Sequence, residues 1–174
     1  PLALGGSVFG WTADRGASFE ILDAFRGGGG NFIDTADSYS AWVPGHEGGE
    51  SETIIGEWLA SRGLRHDEGV TIATKVSQHT QFRGLAAANV RAAAEASLTR
   101  LGLDRIDLYY AHFDDPDTPL EETVAAFGAL VADGLVRYTA VSNYSADRVR
   151  EWVRIARELG VAEPVAIQPH YNLV

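Results

Sequence analysis

Short continuous apolar runs alternate with longer segments of helical periodicity along the whole chain. In the longer segments, apolar residues recur three and four positions apart, as on the buried face of an amphipathic helix. They predict helices over 18–26, 50–62, 86–101, 118–134 and from Ser145 to Gly160. The apolar runs predict strands over 2–4, 31–34, 70–75, 106–111, 137–142 and 165–168. Because these runs are continuous, we expect strands that are covered on both faces.

The fourth helix carries the clearest start signal. Thr118 precedes Pro119, and Glu121 stands three positions after the threonine, which is the spacing of a capping box. Thr118 is therefore predicted to cap this helix. Glycines stand where several of the helical patterns end, as expected for helix termination.

Strict alternation of strands and helices predicts a parallel sheet with right-handed crossovers, in the α/β class. A doubly wound sheet and a (β/α)8 barrel both satisfy this order. Polar residues follow the predicted strands: Asp34, Lys75, His112, Ser142, Asn143 and Gln168. A barrel gathers all of these at one mouth, whereas an open sheet spreads them along its edge. No G-x-G-x-x-G turn follows the first strand. We therefore expect a (β/α)8 TIM barrel.

The length of 174 residues predicts a single domain over 1–174. Six strand–helix units fall two short of the eight found in a barrel of about 250 residues. The chain also contains no methionine. We expect a C-terminally incomplete barrel domain whose remaining units follow Val174.

Composition narrows the function classes. A net charge of −10 argues against a nucleic-acid partner, since phosphate contacts need clustered Lys and Arg. No apolar run approaches the roughly 18 residues of a membrane span. The absence of cysteine fits a cytoplasmic location. His46, His66 and His79 stand in polar segments without metal-site spacing, so we expect them to be solvated and predict no metal site.

Lys75 is the only lysine in the chain, and it ends a predicted buried strand. Asp34 ends the preceding strand, and Tyr39 follows five residues later. An ammonium beside a phenol favours the ionised phenol, and a carboxylate keeps the ammonium charged and oriented. With His112, this group suits proton donation to a reacting oxygen. A buried Asp–Lys ion pair that only stabilises the fold is the structural alternative.

The segments NFIDTADSY, ATK, DLYYAH and VSNYS, in this order, resemble the aldo-keto reductase family of NAD(P)H-dependent oxidoreductases. The resemblance extends through GGESETIIGEWL and QPHYNLV and so spans essentially the whole chain. It implies a (β/α)8 barrel that reduces an aldehyde or ketone to an alcohol. The implied catalytic residues are Asp34, Tyr39, Lys75 and His112. Tyr39 would donate the proton, Lys75 and Asp34 would tune it, and His112 would orient the carbonyl.

The resemblance also implies binding residues. Ser142, Asn143 and Gln168 match positions that hold the nicotinamide, and the cofactor expected is NADP(H), with NAD(H) as the alternative. Trp11, Trp42 and Phe113 are candidate substrate contacts, because exposed aromatic side chains in loops often line pockets. The expected partner is a small-molecule carbonyl compound. In the family, residues that bind the adenine end follow the seventh and eighth strands, which would lie beyond Val174.

Two other functions are compatible with these residues. One is a nicotinamide-binding regulatory subunit of the same fold that turns over little substrate. The other is a barrel lyase or isomerase that uses Lys75 as a Schiff base. The sequence identifies neither the carbonyl substrate nor the oligomeric state.

Overall fold

The computed structural model describes residues 2–64 and 69–172, and within them strands and helices alternate as predicted. His66 lies outside the described residues. The strands are β1 (Leu4–Gly5), β2 (Phe32–Asp34), β3 (Thr71–Val76), β4 (Ile106–Ala111), β5 (Val136–Ser142) and β6 (Ala166–Gln168). The helices are α1 (Arg15–Gly27), α2 (Glu50–Ser61), α3 (Ala87–Leu101), α4 (Leu120–Ala132) and α5 (Ala146–Leu159).

The six strands form one sheet in the order β1-β2-β3-β4-β5-β6, and every neighbouring pair is parallel. A doubly wound sheet would reverse its order at a switch point, and this sheet does not. The strands curl into a half-barrel with the helices outside, which is a partial (β/α)8 barrel. The predicted barrel is therefore confirmed, and all strand C-termini lie at the same end.

The sheet separates two apolar layers. A small cluster of Ala73, Leu108, Tyr110 and Ala140 lies on the inner face of the sheet. A much larger cluster fills the space between the strands and the helices, and it contains Ile72, Val76, Trp58, Phe127 and Trp152. Because strand side chains alternate between faces, odd positions of β3 and even positions of β4 and β5 face the interior. Lys75 and Ser142 share this inner face.

The starts of α1 and α4 differ from the predictions, and in both cases side-chain hydrogen bonds near the helix N-terminus differ from those expected. The Asp14 carboxylate accepts a hydrogen bond from Ala17 N and starts α1 earlier than predicted, at Arg15. The prediction of a capping box is wrong, since Pro119 occupies the N-cap of α4 and makes no side-chain hydrogen bond there. The Thr118 hydroxyl instead donates to Asp115 Oδ2 at 2.7 Å. Because the carboxylate orients the Thr118 hydroxyl as a donor and the helix begins one residue later than predicted, at Leu120, the hydroxyl oxygen caps no backbone N–H of α4.

Coverage of the strands is uneven. β3 and β4 are buried along almost their whole length, as predicted. The prediction of two covered faces is wrong for parts of β5 and β6, since Tyr138 of β5 is 46% exposed and Ile167 of β6 is 48% exposed. β6 lies at the edge of the sheet and has a strand on one side only. Within residues 2–64 and 69–172, no helix has the length and apolar character that crossing a membrane requires.

Candidate active site

Charged and polar side chains meet at the C-terminal end of the sheet. Asp34 is the last residue of β2, Lys75 is the penultimate residue of β3, and His112 directly follows β4. The β2–β3 pairing sets Asp34 opposite Ala73, two residues before Lys75 on the same face. The alternation of the strands therefore directs both side chains into the barrel.

The Lys75 ammonium is fully buried and uses all three of its N–H groups. Its Nζ lies 2.7 Å from Asp34 Oδ2, 2.8 Å from the Thr35 carbonyl oxygen and 3.0 Å from the Tyr39 hydroxyl oxygen. A lysine ammonium has three donors and no acceptor, so each contact is a donated hydrogen bond. The Tyr39 oxygen accepts, and its own O–H is free to donate elsewhere. A buried, fully bonded ammonium of this kind is poorly suited to act as a Schiff-base nucleophile.

Tyr39 lies in a series of turns after β2, and its ring is half-buried at the mouth. Its backbone N–H donates to the Ala36 carbonyl at 3.2 Å, and Lys75 Nζ lies 4.7 Å from the ring centroid. Beneath it, the Tyr110 ring centroid lies 5.8 Å from the same Nζ. Burial, and then the charge of Asp34, raises the pKa of Tyr110 to about 12. Tyr110 therefore stays neutral, and of the two phenols only Tyr39 lies within hydrogen-bond distance of the Lys75 ammonium among the described contacts.

His112 completes this group from the neighbouring strand. Its backbone N–H donates to the Val76 carbonyl at 2.9 Å, and its ring centroid lies 6.0 Å from that of Tyr39. Burial, and then the Lys75 charge, lowers the pKa of His112 to about 4. The imidazole is therefore neutral at physiological pH, so it can form a hydrogen bond without adding positive charge.

Aromatic rings form a continuous row of contacts through Tyr39 and His112. Trp11 packs edge-to-face on Trp42, with 5.6 Å between ring centroids, and Trp42 lies 6.3 Å from Tyr39. Phe113 packs against His112 at 5.0 Å. Trp11 is 53% exposed, Trp42 52% and Phe113 41%. We call these three residues the aromatic rim.

The three predicted cofactor residues also come together. Ser142 pairs with Gln168 across β5 and β6, and its hydroxyl donates to the Gln168 carbonyl at 2.9 Å. Asn143 adopts a left-handed conformation, with φ 58°. Its Nδ2 donates to the His112 carbonyl and to Ser142 Oγ, each at 3.0 Å. Asn143 therefore links the end of β5 to the His112 segment.

A buried polar network behind the sheet was not predicted. Thr74 Oγ1 donates to Glu52 Oε1 at 2.5 Å, and Arg100 Nε donates to Glu52 Oε2 at 2.6 Å. Glu52 is fully buried. Asp37 is also fully buried, and neither carboxylate oxygen has a partner with hydrogen-bond geometry among the described residues. The alternation of β3 could have signalled this network, since Thr74 must face the helices if Lys75 faces the interior.

Asp37→Asn should stabilise the protein at neutral pH. Burial, and then the Glu52 charge, raises the pKa of Asp37 from 3.8 to about 8. Between these values the unfolded carboxyl is ionised while the folded one keeps its proton, so folding becomes less favourable as pH rises. Each pKa unit is worth about 1.4 kcal/mol, so the shift costs the parent about 4 kcal/mol at neutral pH. We expect the variant to recover about half of this, roughly 2 kcal/mol, because a buried amide without partners carries its own desolvation cost. Urea unfolding across the pH range measures this gain in stability. The gain should vanish below pH 3.8, the pKa of Asp37 in the unfolded chain.

Asp23→Asn is the opposite control. Hydrogen bonds from Arg62 and Trp58 lower the pKa of Asp23 to about 2, so its carboxylate stabilises the fold above its unfolded pKa. This variant should lose stability at neutral pH and match the parent at strongly acidic pH. Parallel stability curves for Asp37→Asn and the parent would contradict a protonated Asp37.

The prediction that His79 is solvated is wrong. His79 is 3% exposed, and its Nδ1 accepts a hydrogen bond from Gln81 N at 3.1 Å. Burial, and then the charge of Arg100, lowers its pKa. His46 is half-buried, with Nδ1 4.0 Å from Glu50 Oε1. No group of three or more His, Cys, Asp or Glu in the described part of the chain could hold a metal.

Comparison with known proteins gives a family match over the whole chain. The sequence profile described as the Aldo/keto reductase family matches residues 1–174. Norsolorinic acid reductase A of Aspergillus parasiticus is 34% identical over 189 residues, which cover 99% of this chain and 46% of that protein. Aryl-alcohol dehydrogenase (NADP(+)) of Phanerodontia chrysosporium is 35% identical over 175 residues, which cover 93% of this chain and 43% of that protein.

A third relative is named for a different role. A probable voltage-gated potassium channel subunit beta of Oryza sativa subsp. japonica is 32% identical over 169 residues, which cover 95% of this chain and 49% of that protein. The chain spans about half the length of these three relatives.

Proposed function

Because the chain belongs to the aldo/keto reductase family, we propose that the protein reduces an aldehyde or ketone to an alcohol, with NAD(P)H as reductant. The observation that carries this proposal is the hydrogen bonding of Lys75. Its three donors are taken by Asp34, Thr35 and Tyr39, which leaves the Tyr39 O–H available to a ligand. The reductase and dehydrogenase names of two relatives support the same chemistry.

In this proposal Tyr39 donates its proton to the carbonyl oxygen as that oxygen gains negative charge. The Lys75 ammonium stabilises the phenolate that remains, because it already donates to the same oxygen at 3.0 Å. Asp34 holds the ammonium in place and balances its charge. His112, neutral beside Tyr39, donates a hydrogen bond that orients the carbonyl. Lys75 acts as a charge and not as a nucleophile.

Ser142, Asn143 and Gln168 are the residues proposed to hold the nicotinamide. Hydroxyl and amide groups suit a carboxamide, which both donates and accepts hydrogen bonds. Asp34 Oδ1 is a buried acceptor without a partner among the described residues, which fits a site completed by a hydroxyl-bearing ligand. When bound, the nicotinamide supplies the hydride. The name of the Phanerodontia chrysosporium relative, an NADP(+) aryl-alcohol dehydrogenase, supports NADP(H) over NAD(H).

The aromatic rim supports an aromatic carbonyl compound as substrate. Trp11, Trp42 and Phe113 present exposed rings on both sides of the Tyr39–His112 pair. A planar ring packed on such side chains gains about 0.5–1.5 kcal/mol beyond area burial. We therefore expect Trp11→Ala to lower kcat/KM for an aromatic aldehyde by about tenfold, equivalent to about 1.4 kcal/mol. A short aliphatic aldehyde should be affected little, and an equal loss for both substrates would contradict contact with the rim.

The test of the proposed function is NADPH oxidation by the full-length protein in the presence of an aromatic aldehyde. We expect repeated turnover, with one alcohol formed per NADPH consumed. A protein that neither binds NADPH nor reduces the aldehyde would overturn the proposal.

A regulatory subunit is the second candidate, because one relative is named as a potassium channel subunit beta. Such a protein would bind cofactor tightly and turn over little. Single-turnover and steady-state rates separate the two functions. A fast first turnover followed by very slow product release favours regulation, whereas comparable rates favour the reductase.

A further inference from the structure

Two loops meet beside the Tyr39 hydroxyl, and one serine joins them. The first loop, residues 6–13, carries Trp11, and the second, residues 36–43, carries Tyr39 and Trp42. Ser40 is fully buried, and its hydroxyl donates to the Phe9 carbonyl at 2.7 Å. This hydrogen bond crosses from the Tyr39 loop to the Trp11 loop.

Ser40 has an unusual backbone for its residue type. Its φ is 72°, in the left-handed region that favours glycine. A non-glycine residue held there costs backbone energy, which the surrounding structure must offset. Here the offset comes from the buried hydrogen bond to Phe9, which glycine could not make. A serine kept in a glycine conformation marks a position where the hydroxyl matters.

Backbone hydrogen bonds close the Trp11 loop into turns around the acceptor of this contact. Gly10 N donates to Ala13 O at 2.9 Å, and Trp11 N donates to Val8 O at 3.1 Å. Phe9 itself is fully buried. The acceptor of the Ser40 bond is therefore two residues from Trp11, on a fixed turn, while its donor directly follows Tyr39.

We propose that Ser40 is a positioning residue that sets the distance between the Trp11 ring and the Tyr39 hydroxyl, and so determines selectivity for aromatic carbonyl substrates. The aromatic carbonyl substrate in this inference rests on the proposed function. The role of Ser40 in placing the Trp11 ring relative to the Tyr39 hydroxyl does not. Without the Ser40 bond, the Trp11 loop loses a buried hydrogen bond to the Tyr39 loop, and the Trp11 ring is held less firmly against Trp42 and Tyr39. An aromatic substrate that contacts both loops then binds in a poorer position.

The test uses Ser40→Gly, which accepts the left-handed backbone without strain and removes the CH2OH side chain that makes the hydrogen bond. We expect the KM for an aromatic aldehyde to rise about fivefold to tenfold, with a threefold or smaller change in kcat, since a contact worth about 1 kcal/mol is lost. For a short aliphatic aldehyde, kcat/KM should change less than twofold. An unchanged aromatic-to-aliphatic selectivity ratio would overturn the inference.

Ser18→Ala is the matched control. Ser18 is also fully buried and donates to a carbonyl of the same loop, Ala13, at 3.2 Å, but it does so from α1. If any loss of a loop hydrogen bond sufficed, this variant would show the same change in selectivity. We expect it to lower stability and leave the selectivity ratio unchanged. An equal change in the selectivity ratio of both variants would mean that Ser40 only stabilises the fold.

A second measurement keeps the inference separable from the proposed function. Two tryptophans in close contact give an exciton couplet in circular dichroism, and its loss in Trp42→Phe would assign it to the Trp11–Trp42 pair. Ser40→Gly should weaken this couplet whether or not the protein reduces carbonyls. If the parent reduces no carbonyl, the proposed function fails and the couplet alone decides the role of Ser40. A couplet of unchanged strength in Ser40→Gly would overturn it.

Discussion

Tyr39→Phe should lower kcat for aldehyde reduction by about 10²–10⁴-fold while leaving cofactor affinity unchanged. The change removes only the hydroxyl that accepts the hydrogen bond from Lys75 Nζ at 3.0 Å. Tyr110 cannot replace it, because burial and the charge of Asp34 raise the pKa of Tyr110 to about 12. Neutral His112 remains and can still orient the carbonyl, so substrate binding should be largely retained. Stopped-flow measurement of NADPH oxidation and a fluorescence titration of NADPH test the two halves of this prediction.

Tyr144→Phe is the matched control for this variant. Tyr144 is buried among the helices, its ring packs on Trp152, and its hydroxyl has no partner among the described residues. Removing that hydroxyl deletes no hydrogen bond, so stability and turnover should stay near those of the parent. If Tyr39→Phe also retained its turnover, Tyr39 could not be the proton donor. If it lost cofactor binding as well, the change would reflect distortion of the mouth.

The strand pattern was predictable because buried parallel strands need apolar residues on both faces. The predicted and observed bounds of β3 and β4 differ by at most one residue at each end. The convergence at the mouth followed from the same reasoning, since each candidate residue stood where its strand ended. The resemblance to the family predicted which residues form one catalytic group, and the structure places Asp34 and Tyr39 within hydrogen-bond distance of Lys75.

The features that sequence reasoning missed depend on contacts between distant segments. Glu52 stands in the first turn of α2, where acidic residues usually face solvent and interact with the helix dipole. Its burial results from packing against Thr74 and Arg100, which are 22 and 48 residues away. Asp37 lies in the turn after β2, and no local pattern indicates that it is fully buried. Thr118 had the local spacing of a cap, but its hydroxyl donates to Asp115 and Pro119 occupies the cap position.

The backbone conformation of Ser40 also could not be predicted from its neighbours in the sequence. Nothing in its neighbourhood indicates a positive φ, because a turn residue of this conformation is expected to be glycine or asparagine. Only the approach of the Phe9 carbonyl, 31 residues earlier, makes the conformation favourable for serine. The residues of the candidate site could therefore be predicted from the sequence. The contacts that hold these residues in place could not.

Lys75→Met should destabilise the protein by about 3–5 kcal/mol and abolish turnover, because it leaves the Asp34 carboxylate buried without its partner. Asp34 is 7% exposed, and its Oδ2 lies 2.7 Å from Lys75 Nζ. Lys75→Arg should not restore activity, since a planar guanidinium cannot donate to the same three acceptors from a fully enclosed position. Urea unfolding at neutral pH measures the loss of stability, and NADPH oxidation measures the loss of activity.

The double variant Asp34→Asn/Lys75→Met separates the two roles of this pair. Without the buried charge there is no unpaired carboxylate, so most of the stability lost in Lys75→Met should return. Turnover should not return, because no ammonium remains to stabilise the Tyr39 phenolate. Recovery of both properties would mean that the pair only stabilises the fold. Recovery of neither would mean that Lys75 stabilises the mouth mainly through Thr35 and Tyr39, and that its coupling to Asp34 is weak.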